Sequence, residues 1–470
     1  MNLPARSCPG PLTRRSFLKL GSLALGGFSA THVLPWQLQA AESSKAASDR
    51  AVIFIWLPGG PPHMETYDMK PDAPEEYRGA FKPIKTNVPG IDICELLPRQ
   101  AKVADRFTII RSVAHKFADH GGGHKRFLTG RDPQEPTGFV NDYPMVGSMV
   151  SEVVKQRRRG VPNYIAGVDR GRHGIDVFSF GSAYLGTSSH PFMVAGDPSE
   201  KNFKVQNLAA TAEQTAGLRQ RMQLLKDVER VPGGLDAAEV ATLDGFQDRA
   251  LYLLTSDAAR EAFDLSAETP ALRDRYGMHR FGQRALMARR LVEAGATFVS
   301  MVMENPTPPG GRMPKDCCYN WDSHAVNCHL FNDAKWRFPY YDQAVAALIE
   351  DLYDRGLDRK VLLIVTGEFG RTPRVSYSNG TQTNMKQPGR DHWPSAMSML
   401  VSGGGMRTGQ IVGSTNARGE HPKDRPLTPN DLWATMFKHL AIDYDNTMFI
   451  DHGGRPMPIL PFGTPIAELL

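Results

Sequence analysis

Apolar residues in this chain gather in short unbroken runs, each closed by glycine, proline, histidine or a charge. AVIFIWL (51 to 57) runs into PGGPPH, and RFTIIR (106 to 111), TFVSMVME (297 to 304), KVLLIVT (360 to 366) and AMSMLVS (396 to 402) follow the same plan. Runs of this length without polar alternation read as strands covered on both faces, as in a parallel sheet. Between them, residues 210 to 231, 238 to 265, 280 to 294 and 340 to 355 place apolar side chains at helical spacing, for example Ala344, Ala347, Leu348 and Leu352. Strands alternating with helices predict an α/β sandwich around a largely parallel sheet. Residues 205 to 295 read as mainly helical, an inserted or covering layer. In such a sheet ligands bind outside the carboxyl ends of the strands.

The N-terminus has another character. TRRSFLKLGSLALGGFSA sets Arg14 and Arg15 before Phe17, Leu18 and a short apolar run, the pattern of a twin-arginine export signal. Residues 20 to 30 are about half the ~20 apolar residues a membrane span requires, so a removable signal over 1 to 40 is expected, cleaved near Ala40 or Ala41. A polar linker over 41 to 50 and one domain over 51 to 470 follow. The expected location is periplasmic or extracellular, with the twin-arginine machinery as a transient partner and no stable membrane span in the mature protein. Removal of residues 1 to 40 takes Arg6, Arg14, Arg15 and Lys19 and no acid, so the formal charge falls from +5 to +1. That balance argues against nucleic acid as the main partner. Cys8 leaves with the signal; Cys94, Cys317, Cys318 and Cys328 remain, as structural thiols or with one disulfide among the last three.

Four segments after predicted strands carry the candidate chemistry: PGGPPHMETYD (58 to 68), RSVAHKFADHGGGHKRFLTGR (111 to 131), YNWDSHAVN (319 to 327), and GEFGRTP with GRDHWP. Asp322 and His324 offer oxygen and nitrogen donors suited to zinc, manganese or, with more carboxylates, calcium or magnesium; a plain surface loop explains them as well. His392 follows Asp391 in a loop rich in glycine and proline, and that carboxylate could equally satisfy it. Glu368 stands just past a buried strand, where an unpaired carboxylate is costly and calls for a cation or for Arg371 beside it. His115, His120 and His124 flank a GGG that lets backbone approach a ligand, a pattern for metal or anion binding or for ordinary loop packing on Phe117 and Phe127. Ser112 reads as a helix cap or a nucleophile.

NWDSHAVN, GEFGRTP, GRDHWP and VSGGGMRTGQIVGST, in this order and with the helix DQAVAALIEDLYDRGL between, resemble the family called domain of unknown function 1501, over roughly residues 50 to 465. That family is similar to sulfatases and belongs with the alkaline phosphatase superfamily of metal-dependent ester hydrolases. The resemblance implies a three-layer α/β/α sandwich of that type and an anionic ester or a sulfated or phosphorylated glycan as substrate. HGGGHKRFLTGR lines up with the sulfatase signature through Leu128, Thr129, Gly130 and Arg131, but His120 stands where the nucleophile belongs, so formylglycine chemistry is not expected. VTGEFG keeps a carboxylate in Glu368 and replaces the accompanying histidine by Phe369. Asp322, His324 and His392 resemble the Asp, His and His that complete a superfamily metal site. Only His63, Glu65 or Asp68 replace the acidic ligands after the first strand. The expectation is one divalent ion, Zn, Mn, Ca or Mg, on Asp322, His324, His392 and Glu368. His120 or His115, with Ser112 as the remaining hydroxyl, would serve catalysis, and Arg371, Arg390, His124 and His63 would bind substrate. A protein that binds anionic glycans without turnover is the alternative.

Overall fold

The computed structural model describes residues 49–154, 161–169, 179–205 and 257–470, with residues 208, 217 and 220. The expected signal over 1 to 40, most of the linker, and the helices at 210 to 231 and over most of 238 to 265 lie outside the described residues. Within the latter stretch a helix is described over Asp257–Phe263. No helix of the described residues is long and apolar enough to cross a membrane.

One eight-stranded sheet organises the rest. Its strands, in chain order, are β1 (Ala51–Trp56), β2 (Phe107–Val113), β3 (Tyr164–Val168), β4 (Phe192–Ala195), β5 (Phe298–Val302), β6 (Val361–Thr366), β7 (Met397–Gly403) and β8 (Gln410–Val412). They lie in the order β8-β2-β7-β6-β1-β5-β3-β4. All pairings are parallel except those of β7, which runs antiparallel to both β2 and β6. The five apolar runs read from the sequence are β1, β2, β5, β6 and β7; the sheet also takes in β3, β4 and β8.

The alternation of strand side chains divides β1 between two cores. Ile53 and Ile55 enter one cluster with α3 (Arg280–Glu293) and α4 (Leu330–Asp354). Val52, Phe54 and Trp56 enter the other with α1 (His120–Thr129), α2 (Val146–Val154) and α5 (Pro429–His439). Helices thus cover both faces, and the architecture is the three-layer α/β/α sandwich expected. Helix α4 differs from the sequence reading, which began at residue 340. It starts at Leu330 under a cap from the His329 ring and runs through Pro339, a residue that usually marks a boundary because it lacks an N–H.

The GGG segment departs further. Asp119 accepts hydrogen bonds from Gly121 N (2.9 Å) and Gly122 N (3.3 Å) and caps α1, so the glycines sit inside a helix rather than in a ligand-binding loop. A Cβ on Gly121 would stand 2.2 Å from Gly138 O, and one on Gly123 2.9 Å from the Phe369 ring. Glycine is therefore needed for α1 to close against these neighbours. The helix also sets His120 and His124 one turn apart on one face.

Phe54 is fully buried among Trp56, Phe298 and Trp433, with ring centroids 5.4, 6.1 and 5.6 Å away. Phe54→Ala is expected to lower the stability measured by urea unfolding by about 3–5 kcal/mol, and a loss under ~1 kcal/mol would contradict this packing. His279 and His439 are buried neutral, burial pushing each down to about 4. The unfolded chain then binds more protons, so stability should fall as pH drops from about 6.5 toward about 4. His279→Asn, which keeps a capping side chain, should flatten that slope relative to wild type.

Candidate functional site

The carboxyl ends of the parallel strands make one rim, and β7, running antiparallel, starts at that same rim. Glu368 follows β6, Gly59 and Gly60 follow β1, the loop with Asp322 and His324 lies beyond β5, and α1 follows β2. His392 comes just before β7, in a two-residue ribbon that pairs His392 with Arg371. One reversed strand thus delivers a residue upstream of a strand to the end where the others deliver residues downstream.

His120, Asp322, His324 and His392 converge, one donor atom from each lying within 4.8 Å of the others. Asp322 Oδ1 is 2.9 Å from His324 Nε2, 3.2 Å from His392 Nε2 and 3.3 Å from His120 Nε2, and the Nε2 atoms of His324 and His392 are 2.8 Å apart. Each side chain is about a fifth exposed (17% for Asp322, 24% for His120), so the cluster opens to solvent. Outer partners fix the rings. His324 Nδ1 donates to Asp391 Oδ1 (2.6 Å), His392 Nδ1 to the Ala118 carbonyl (2.6 Å), and His120 Nδ1 to Glu368 Oε1 (2.8 Å). A neutral imidazole that donates from Nδ1 presents a lone pair at Nε2. Three lone pairs and a carboxylate oxygen therefore face one point, an arrangement that repels unless a positive charge joins it. Ligands 2.0–2.1 Å from a tetrahedral centre stand roughly 3.3 Å apart, close to the spacings around Asp322. The donor set fits a divalent cation.

Without one, protonation supplies part of the charge. Burial opposes the imidazolium of His120, but its bonds to Asp322 and Glu368 and their charges raise its pKa to about 9. Burial likewise opposes the Asp322 carboxylate, yet the three histidines and Arg371 hold it well below the usual range. His392 is held low mainly by burial.

Glu368 does not join this group but a second one with His120 and His124. Fully buried, its Oε1 accepts from Gly59 N (2.8 Å) and meets His120 (2.8 Å) and His124 Nε2 (3.3 Å), while Oε2 has no hydrogen-bond partner. Burial works to raise its pKa, and His124 and His120 overcome it and hold the carboxyl low. His120 takes the place expected of Glu368 beside Asp322 and links the two groups. Phe369 lines them, its ring centroid 4.6 Å from that of His392 and 5.4 Å from that of His120.

Beyond Glu368, the expected roles of Arg390, Arg371, Ser112, His115 and His63 are corrected. Arg390 is fully buried on Glu65 (2.7 Å) and the carbonyls of Tyr77, Thr372 and Pro373, so its guanidinium is spent on the fold rather than on substrate. Arg371 does reach the cluster, at 2.7 Å from Asp322 Oδ1, but it is fully buried and also donates to the carbonyls of Gly59, Gly60 and Trp321; it braces three loops instead of clamping a ligand. Ser112 lies inside β2, buried, its hydroxyl donated to the Arg425 carbonyl (2.6 Å), neither cap nor nucleophile. His115 is driven down to about 4 by burial, with Nε2 donating to the Glu368 carbonyl (2.6 Å) and Nδ1 accepting from Phe117 N (3.2 Å), so both ring nitrogens are engaged in holding the loop.

His63 is buried behind Arg371, its Nε2 donating to the Gly419 carbonyl (2.9 Å) and its Nδ1 accepting from Arg371 N (3.4 Å), and burial lowers it to about 4. Asp68 pairs with Lys70 (2.9 Å), away from the cluster. His124 packs edge-on to Trp56, its Nδ1 3.3 Å from Ser179 Oγ. The sequence reading missed Asp391 as the partner of His324, having set it beside His392, and missed Gly59 N and the Ala118 carbonyl, backbone groups with no side-chain signal. Cys318 and Cys328 form a disulfide, and Cys94 and Cys317 are buried free thiols.

The family described as "Protein of unknown function (DUF1501)" matches residues 49–470. No curated protein matches the chain. Among solved structures, a variant of the alkaline phosphatase from the Antarctic bacterium TAB5 with Mg bound is similar at 13% identity and TM-score 0.37, over 84% of this chain and 98% of that one. i-CgsB in complex with a neocarrahexaose is similar at 10% identity and TM-score 0.35, over 84% and 72%. The lipoteichoic acid synthase LtaP from Listeria monocytogenes is similar at 10% identity and TM-score 0.33, over 85% and 73%.

Arg371→Met is expected to lower stability in urea unfolding by roughly 1–3 kcal/mol, the cost of leaving the buried carbonyls of Gly59, Gly60 and Trp321 without their donor. A change under about 0.5 kcal/mol, typical of a residue that only meets substrate, would restore the clamp.

Proposed function

The chain belongs to the DUF1501 family, and we propose that within it this protein is an exported, cation-dependent hydrolase of sulfate or phosphate esters, with polysaccharide esters as the substrate class. The observation that carries the reading is the convergence of three lone-pair nitrogens and the Asp322 carboxylate at the open rim of the sheet. Export rests on the twin-arginine pattern at Arg14 and Arg15. The ester class rests on the motif resemblance to the alkaline phosphatase superfamily.

Asp322, His324, His392 and His120 would hold the ion. A divalent cation there would lower the pKa of water and offset charge on an ester oxygen. The remaining roles belong to protein groups. Asp391 and the Ala118 carbonyl keep protons on Nδ1 of His324 and His392, so their Nε2 atoms face the centre. Arg371 offsets the Asp322 charge from the buried side and leaves the solvent side open. Glu368 likewise holds the Nδ1 proton of His120, so its Nε2 faces the centre with the other two. His120 stands at the nucleophile position of the related signature, and Ser112 is sequestered, so direct attack by water is the simpler route.

Protein purified without chelator is expected to carry about one Zn, Mn, Ca or Mg per chain and to hydrolyse an aryl sulfate or aryl phosphate. His324→Ala should lower that rate at least about 100-fold, and Asp391→Asn should weaken cation affinity by ~10- to 100-fold. Equal background rates for wild type and His324→Ala, with sulfated glycan still bound, would replace the hydrolase by the binding protein. Absence of both metal and turnover with added Mn, Zn or Ca would end the reading.

A further inference from the structure

The loop that supplies Asp322 and His324 is a covalent ring. Cys318 and Cys328, ten residues apart in sequence with Cα atoms 5.5 Å apart, are disulfide-bonded, and both lie at the start of α4. Cys318 N donates to Asp333 Oδ1 (2.9 Å) and its carbonyl accepts from Arg337 Nη2 (2.6 Å). Asp333 and Arg337 themselves form a buried pair one turn apart on α4 (2.8 Å). Cys328 directly precedes the capping residue His329. The chain leaves the helix end at Cys318, carries two members of the cluster past the rim, and is returned to the same helix end by the bridge.

Inside the ring the apolar anchoring is thin. Trp321 is buried, its indole N–H on the Met303 carbonyl (2.6 Å) and its ring against Phe338 and Tyr341, but most of the remaining residues, Asn320, Asp322, Ser323, His324 and Asn327 among them, are polar. Trp321 stands on the Cys318 side, so its anchoring reaches Asp322 before His324. His324 lies nearer Cys328, and the return path is held by the bridge, by hydrogen bonds from Asn327 to the Asp322 carbonyl and carboxylate (3.2 and 2.9 Å), and by Arg390 N, Gln387 and Thr381 on the carbonyls of Ser323, Ala325 and Val326. The bridge adds the covalent closure at the helix end to these contacts. The other two members, His120 and His392, stand on α1 and on the ribbon before β7, which the ring does not constrain. A chelating set assembled from three segments needs each held to within about half an ångström, and a short polar loop supplies little burial to do that on its own.

We propose that Cys318 and Cys328 are positioning residues of the cation centre, so that cation affinity depends on the bridge being intact. The proposal rests on reading the cluster as a cation centre. With a trialkylphosphine reductant the step is balanced: the S–S bond breaks, phosphorus is oxidised to the phosphine oxide by the oxygen of one water, and the two protons of that water end on the Cys318 and Cys328 thiols. Cys317, buried and free, takes no part.

The experiment measures the Mn2+ dissociation constant by calorimetry on the full chain, oxidised and after phosphine reduction, with the two new thiols verified by blocking and mass. Zn2+ is measured on the oxidised chain alone, because freed Cys318 and Cys328 with Asp333 would bind zinc themselves. The Cys318→Ser/Cys328→Ser double variant and Cys317→Ser are measured alongside. Reduced wild type and the double variant should bind at least tenfold more weakly, within the ~10- to 100-fold typical of losing a support of a metal ligand. Re-oxidation should restore wild-type affinity, and Cys317→Ser should match wild type. Equal affinity in the oxidised and reduced states, with both folded by circular dichroism, overturns this inference alone. If the double variant fails to fold, reduction and re-oxidation of the wild type decide. Oxidised wild type that binds neither ion overturns the cation centre and this inference together.

Discussion

A cluster of hydrogen-bond acceptors with too few protons is the constraint around which the rim of this sheet is built. His120, His324 and His392 are each committed at Nδ1 to an acceptor, so in their neutral forms the other nitrogens offer lone pairs to a space that already holds the Asp322 carboxylate. Arg371 offsets one charge from below, and protonation of His120 supplies another, but neither fills the point on which the donors converge. A cation does so in one step, and outer partners that fix histidine tautomers are the usual companions of such a site. The buried Glu368, with one oxygen unpartnered, belongs to the same system through His120.

The fold explains why residues far apart in sequence arrive together. Parallel strands put their carboxyl ends at one rim, and the reversal of β7 brings His392 there from the upstream side. Glycines permit the close approaches this requires. A Cβ on Gly59 would stand 2.5 Å from Asp322 N, and Gly59, at φ +106°, also turns its N–H onto Glu368. The helix cap at Asp119 aims His120 and His124 together. Stability and site geometry are therefore carried by many of the same atoms, as Arg371 and Arg390 illustrate: both lie at the rim, and both spend their donors on holding loops to one another.

Much of the fold was legible from the sequence because the central strands are covered on both faces and leave unbroken apolar runs. β3, β4 and β8 were not, being short strands toward the edges of the sheet: YIAGV and QIV include glycine or a polar residue, and FMVA is only four residues long. Helix α4 was truncated because Pro339 reads as a breaker, although a 25-residue helix tolerates it here. At the site, Asp322, His324 and His392 could be singled out by residue type and motif. The exchange of His120 for Glu368 beside Asp322 could not, since it depends on α1 beginning at Asp119 rather than on spacing. Nor could the fate of Arg390 be foreseen, because a guanidinium in a loop looks the same in sequence whether its acceptors are backbone carbonyls or a substrate.

The most direct measurement is a crystal structure of the oxidised protein soaked in manganese, with anomalous scattering recorded at the metal edge. The expected result is one strong peak about 2.0–2.3 Å from Nε2 of His324 and His392 and from an Asp322 oxygen, with His120 completing the set. An ordered cluster without a peak, its histidines turned to share protons among themselves, would contradict the cation centre.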